Sequence, residues 1–252
     1  MHGVQIWRSG GVESPIEEVT APAVACLCFE AFSKWHLGEL ASCQTTMAEA
    51  IALAKELNEK QTLVWTLYHT GVLRHFERNP AEAERCASDL IEISTHQNFA
   101  TWLPGGAILH GWARSAYGDT AEGISWIEHG ISDYGATGRI LDTPSFLALK
   151  AEALHLADRS SEALKAIEEA EALAERSGRR DWCAEIHRLR GVFLTAMGAE
   201  ETQIEGSFCK AIRVAKEQKS ASLGTRAEAT YAEYCRQKAT APEGGGFRLP
   251  LW

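Results

Sequence analysis

Apolar positions along this chain recur three and four residues apart, the spacing that puts them on one face of a helix. Met47, Ala50, Ile51, Ala54 and Leu57 form one such stripe. Ala83, Ala87, Leu90, Ile91 and Ser94 form the next, followed by Ile124, Ile127, Ile131 and Tyr134. Ala163, Ile167, Ala170, Leu173 and Ala174 continue the series, and Ile204, Phe208, Ala211, Ile212 and Ala215 close it. No sustained alternation of apolar and polar residues marks a strand. The stripes repeat at a spacing of 40 residues, and so do the residues between them. Small residues stand at Ala31, Gly71, Gly111, Ala151 and Gly191, and again at Cys43, Ala83, Gly123 and Ala163. One column of turn residues runs Gly38, Arg78, Gly118, Asp158 and Gly198; a second runs Asn58, Asn98, Gly138 and Gly178.

Each unit therefore predicts two helices. Asn79-Pro80-Ala81-Glu82 places a capping Asn, a Pro at the first helical position and an early acid at a second-helix start, and Asp119-Thr120-Ala121-Glu122 repeats that scheme. Glu162 falls one period later. The Asn and Gly breaks suit left-handed C-caps. The first helices carry the aromatics: Phe29, Phe32, Trp35, Trp65, Tyr68, Phe76, Trp102, Trp112, Phe146, Trp182 and Phe193. The small residue within each first helix lets its partner approach closely. The expected organisation is an irregular segment over 1–20, an array over 21–238 of five helix pairs plus one helix at Lys219–Lys238, and a tail over 239–252 made flexible by Gly244-Gly245-Gly246. At most about 13 helices fit this all-α, right-handed α-solenoid.

Composition narrows the function. The chain has 252 residues, 45% hydrophobic and 23% charged, with a net charge of −9. That acidic balance argues against nucleic acid or an anionic membrane as the main partner. Met1–Gly11 lacks a signal-type apolar core, and no run is long enough to span a bilayer. Seven cysteines, an odd number set mostly in helical patterns, fit reduced thiols of a cytoplasmic protein.

The small-residue columns resemble those of tetratricopeptide repeats, although the period is 40 and the aromatic and proline positions of that consensus are mostly missing. In such arrays the first helices line the inner groove. Carried over, that register implies a groove faced by Tyr68, His75, Trp112, Glu152, His155 and Arg188, residue types that anchor peptides; inter-repeat core is the alternative for Tyr68 and Trp112.

A second resemblance rests on Glu171-Ala-Leu-Ala-Glu-Arg-Ser-Gly178 followed by Trp182-Cys-Ala-Glu-Ile-His-Arg-Leu-Arg-Gly191. Pro22-Ala-Val-Ala-Cys26 leading to Leu37-Gly38, and Leu109-His-Gly-Trp-Ala113, add to it. These are similar to the C-terminal repeat region of large bacterial proteins that join a class III adenylate or guanylate cyclase domain to an AAA- or NACHT-like ATPase. The resemblance covers most of 21–236 and implies a sensor or interaction region. The sequence contains neither a Gly-x-x-x-x-Gly-Lys-Ser/Thr loop nor a paired-aspartate cyclase core. The expectation is that the chain is not an enzyme, and that it is a fragment, a split gene or a truncated paralogue.

The chemistry-bearing residues give no catalytic set. Cys26 and Cys28 fall on different helix faces and have no partner pair, so neither a metal site nor a cofactor is expected. His75 and His155 share a column two periods apart and line one surface or one polar helix face. Arg176, Arg179, Arg180, Arg188 and Arg190 stand among Glu171, Glu175, Asp181 and Glu185 and read as solvated helix ends with local salt bridges. Phe247–Trp252 is either a docking peptide or a frayed end. The function expected is a non-catalytic interaction module that binds a protein or peptide, with a cyclase or ATPase as the class of partner. The alternatives are a small-molecule-sensing repeat domain of a transcription-regulator-like ATPase, or an orphaned fragment.

Overall fold

The computed structural model describes residues 21–240 and 247–251. The expected irregular segment 1–20, the glycines Gly244-Gly245-Gly246 on which the expected flexibility of the tail rests, and Trp252 lie outside them. Among the described residues every regular element is an α-helix. In chain order these are α1 (Pro22–His36), α2 (Leu40–Leu57), α3 (Lys60–Phe76), α4 (Pro80–Gln97), α5 (Leu103–Ala116), α6 (Thr120–Ala136), α7 (Thr143–Leu156), α8 (Ser160–Ser177), α9 (Cys183–Ala196), α10 (Glu201–Glu217) and α11 (Ala221–Lys238). They form five pairs and one further first helix.

The chain divides into two compact units, 1–110 and 111–252, with the division falling inside α5. In the first unit α1 pairs with α2 and α3 with α4, while α3 also packs on α1 and α2. In the second unit α7 pairs with α8 and α9 with α10; α9 also touches α7, α8 and α11. Within each unit these helices pack on a pair-mate and on the neighbouring repeat, as a single apolar stripe requires.

The turn columns explain why the pairs close. Gly38, Arg78, Gly118, Asp158 and Gly198 all take positive φ, and so do Asn58, Asn98, Gly138 and Gly178. A left-handed residue reverses the chain within a few residues and ties off the preceding carbonyls. The Asn79 side chain caps α4 by accepting from Glu82 N at 3.2 Å, as its sequence predicts. Asp119 departs from the parallel expectation. Its carboxylate makes no cap bond to α6 and is instead 2.6 Å from the Arg114 guanidinium. The last first helix starts after Lys219, because Lys219 takes a left-handed φ of 56° and the Ser220 hydroxyl caps Leu223 N.

The small-residue columns are buried contact points. At Gly111 an added Cβ would lie 2.4 Å from the Gly123 carbonyl oxygen and 2.8 Å from Ile127. At Gly191 it would lie 2.6 Å from the Phe208 ring, and at Gly71 2.8 Å from Leu109. Gly118 differs: nothing lies within 4 Å of its would-be Cβ, and its demand is conformational, at φ 97°. Two unfolding measurements separate these roles. Gly118→Ala should cost about 1–2 kcal/mol, the left-handed penalty alone. Gly111→Ala must push two backbones apart, and should cost more, about 3 kcal/mol or above. Equal midpoints for the two variants in urea would contradict backbone contact as the role of Gly111.

Candidate functional site

The first helices of the second unit carry a buried polar chain. Trp112 Nε1 on α5 donates to Glu152 Oε2 on α7 at 2.9 Å. Arg188 on α9 makes a two-pronged contact with Glu185 of its own helix, at 3.1 and 2.7 Å. It also donates to Thr230 on α11 at 3.3 Å, and Arg226 of α11 comes within 3.5 Å of Glu185. Trp112, Glu152, Glu185 and Arg188 are each exposed by 1% or less. Burial alone would lower the Arg188 pKa; the charge and hydrogen bonds of Glu185, with Glu152 beyond, outweigh it and hold the guanidinium charged. An ion pair this dry is kept by its geometry, and removing one partner strands the other.

At the C-terminal end of α7 this interior meets the tail. His155 is buried, its Nδ1 3.0 Å from the Ser160 hydroxyl and its ring 5.0 Å from that of Phe193. Its Nε2 is buried with no hydrogen-bond partner among the described residues. Arg248 donates to the His155 carbonyl at 2.5 Å and pairs with the Asp158 carboxylate. A guanidinium there faces the negative end of the α7 dipole. Phe247 stacks on Tyr234 of α11 with ring centroids 5.7 Å apart. Leu249 and Leu251 are buried. Asp158 is 81% exposed, so its pairing contributes little, about 0–1 kcal/mol. The two leucines dominate at about 1.5–3 kcal/mol each. Burial first, and the Arg248 charge second, push the His155 pKa down to about 4 against the opposing pull of Asp158 and Glu152.

Two clefts open between successive second helices, one in each unit. In the first unit a cavity of about 340 Å³ is lined by Ile51, Leu63, Leu67 and Ile93 with Lys55, Arg85, Asp89 and Glu92 around them. In the second, a cavity of about 300 Å³ places Glu171, Cys183 and His187 where three periods earlier stand Ile51, Leu63 and Leu67. Lys210 closes on Glu171 at 2.8 Å. Burial pushes His187 down to about 4, Glu171 opposing and Lys210, Arg190 and Arg213 adding to the fall. The imidazole is therefore neutral near pH 7, and its 3.7 Å approach to Glu171 is not an ion pair there. Desolvation also raises the thiols: Cys28 to about 12, Cys43 and Cys86 to about 11, and Cys183 upward. No group of three or more His, Cys, Asp or Glu that could hold a metal ion is found among the described residues.

The six residues expected to face a groove are distributed otherwise. Tyr68 is half-buried in the first unit against Gly105 and the Trp102 ring. His75 is buried there, 3.2 Å from the Arg78 guanidinium. Trp112, Glu152, His155 and Arg188 are buried in the second unit, where Trp112 and Glu152 bond directly and Glu152 acts electrostatically on His155 and Arg188. The register places them on the first helices, but all except the half-buried Tyr68 are interior. The basic cluster divides similarly. Arg180 is exposed beside Glu217, while Arg188 and Glu185 are interior, against the expectation of a solvated pair. Glu185, Arg226, Asp158 and Arg248 join the site from outside the six residues that the register implies. The one signal for the first two was the run of charges at helical spacing.

No protein-family profile matches the chain. An uncharacterized protein of Rhizobium meliloti (strain 1021) is 21% identical over 203 residues; the match covers 81% of this chain, which spans 20% of that protein's length. Among solved structures, Bacillus thuringiensis PlcR, determined in complex with the peptide PapR7 and DNA, is similar with a TM-score of 0.66 and 15% identity. The match covers 82% of this chain and 73% of that one. The likeness establishes the fold: an all-α array of TPR-like helix-turn-helix repeats, the α-solenoid class. No helix among the described residues is long and apolar enough to cross a membrane.

Two predictions follow from the buried charges. Glu185→Ala should lower unfolding free energy by about 3–5 kcal/mol, because Arg188 loses its partner in a dry site. Replacing both, with Glu185→Leu and Arg188→Met, should recover most of that loss; a double variant no better than the single would refute the ion-pair account. The histidines set a pH dependence. Their folded pKa values lie near 4, below the unfolded value near 6.5, so the unfolded state binds the extra protons between those limits. Stability should be full above pH 6.5 and fall as pH drops, by up to about 1.4 kcal/mol per pH unit for each histidine. Melting scans from pH 7 to 5, above the carboxylate range, should show this slope reduced in His187→Leu and in His155→Gln.

Proposed function

We propose that the chain is a non-catalytic helical-repeat module that binds a protein or peptide and regulates it, within a bacterial cyclase–ATPase signalling system. The observation that carries the binding part is the fold, shared with a protein whose structure was determined with a bound peptide. The seating of Phe247–Leu251 across the ends of α7 and α11 supports it, because these helices already accept a short apolar segment that forms no helix or strand of its own. The absence of catalysis is supported by the chemistry of the candidate groups. Burial raises the Cys28, Cys43 and Cys86 thiols, which disfavours their nucleophilic thiolate forms, and the sequence carries neither a phosphate-binding Gly-x-x-x-x-Gly-Lys-Ser/Thr loop nor a paired-aspartate core. The signalling context rests on the sequence resemblance around residues 163–218. The net charge of −9 argues for protein rather than DNA as the direct partner.

A second reading, small-molecule sensing, is favoured by one feature. The cleft of about 300 Å³ lined by Glu171, His187 and Lys210 is at the lower size limit of ligand sites and has convergent polar groups. A pull-down with purified 1–252 from native lysate separates the two. Specific recovery of a cyclase or an ATPase is expected. Recovery of neither by a folded, monodisperse protein would sink the signalling reading. A melting temperature raised by small metabolites and abolished by Lys210→Ala would then favour sensing.

A further inference from the structure

The first and second units solve one local problem with opposite charges. In the first, His75 has a guanidinium at 3.2 Å, supplied three residues on by Arg78, a left-handed turn residue. Eighty residues later the same two positions hold His155 and Asp158. The turn conformation is kept, with φ 58° at Arg78 and 60° at Asp158, but the sign of the side chain is reversed. The guanidinium now comes from outside the repeat: Arg248 reaches back to the His155 carbonyl and the Asp158 carboxylate. On either side of that arginine, Phe247 stacks on Tyr234 and Leu249 is buried, with Leu251 buried beyond it.

We propose that the C-terminal ends of α7 and α11, with α9 between them, are a binding site for an extended peptide that carries an arginine between apolar residues, and that Phe247–Leu251 occupies this site in cis. Asp158 and the α7 carbonyls read the arginine and fix the register. The leucine seats supply affinity. The tail is a replaceable occupant: it forms no helix or strand of its own and is held by two buried leucines, one ring stack and the Arg248 contacts, so a partner's peptide with the same pattern competes for the same seats. The tail then acts as a built-in competitor for a partner's peptide. This inference rests on the reading of the chain as a binding module.

The test uses the full chain and a fluorescein-labelled peptide of residues 247–252. A variant carrying Leu249→Asp and Leu251→Asp frees the site without touching the helices. Anisotropy titration should show binding to this variant about tenfold tighter than to the wild type, whose site is filled. In the freed background, Asp158→Asn keeps a residue that tolerates the left-handed turn and should weaken binding about threefold. A peptide with aspartate in place of its Leu249 should not bind. In a parallel measurement, trypsin should cut after Arg248 about tenfold faster in the freed variant than in the wild type. Equal peptide binding to the two proteins, or none to a freed variant with unchanged helical circular dichroism, overturns the proposal. Equal trypsin rates overturn occupancy by the tail. A wild-type dimer that loses tail protection on dilution shows that the occupant is the tail of a second copy. Failure here alongside recovery of a cyclase or ATPase in the pull-down removes this site and leaves the module reading intact.

Discussion

The closest constraint in the molecule is the backbone contact between paired helices, clearest where Gly111 meets Gly123 with no room for a methyl group. Close approach brings the stripes of both helices into one layer, and the left-handed residues at the turns hold the pair in that register. Every later feature depends on this spacing. Because each repeat places its first helix in the same way, a residue 40 positions along the chain occupies an equivalent place in the next repeat, and Trp112 can reach Glu152 directly. The repeat array therefore builds lines of side chains that cross helices, where an irregular fold would need separate solutions for each contact.

One such line has been turned over to charge. Isolated charges in so dry a place would neutralise or unfold the region. Glu185 avoids this by holding Arg188 with both oxygens while Arg226 approaches from the next repeat. The cleft on the other side of these helices shows the same substitution in a milder form, with Glu171 and His187 at positions that hold Ile51 and Leu67 in the first unit. The second unit is thus the chemically specialised one, although the two share one pattern of helices and turns.

Much of this was legible in the sequence. The period, the pairs and the turn columns were all there to be read, since each follows from local conformation: Asn58, Asn98, Gly138 and Gly178 are residues that tolerate positive φ. Lys219 is the exception. It breaks the column one residue late, and nothing in its chemistry marks it as left-handed. The site was harder to read for a different reason. Glu185 and Arg188 sit three residues apart, which is the spacing of countless surface pairs, and only the neighbouring repeats make them interior. The seat of Arg248 depends on contacts spanning 90 residues and more, a distance at which no periodicity operates.

α11 is tied to the repeat before it by charge as well as by apolar contact. Repeat arrays are held by contacts between neighbouring helices, and a helix held by apolar contact alone peels away readily. α11 lends Arg226 and Thr230 to a charge cluster centred on α9. Its detachment would expose an apolar stripe and also strip two partners from a buried ion pair. Detaching α11 therefore carries an electrostatic penalty in addition to the hydrophobic one. α11 is thereby joined to the repeat before it as one cooperative block, and a change at Arg226 or Thr230 has to be matched by the charged residues on α9.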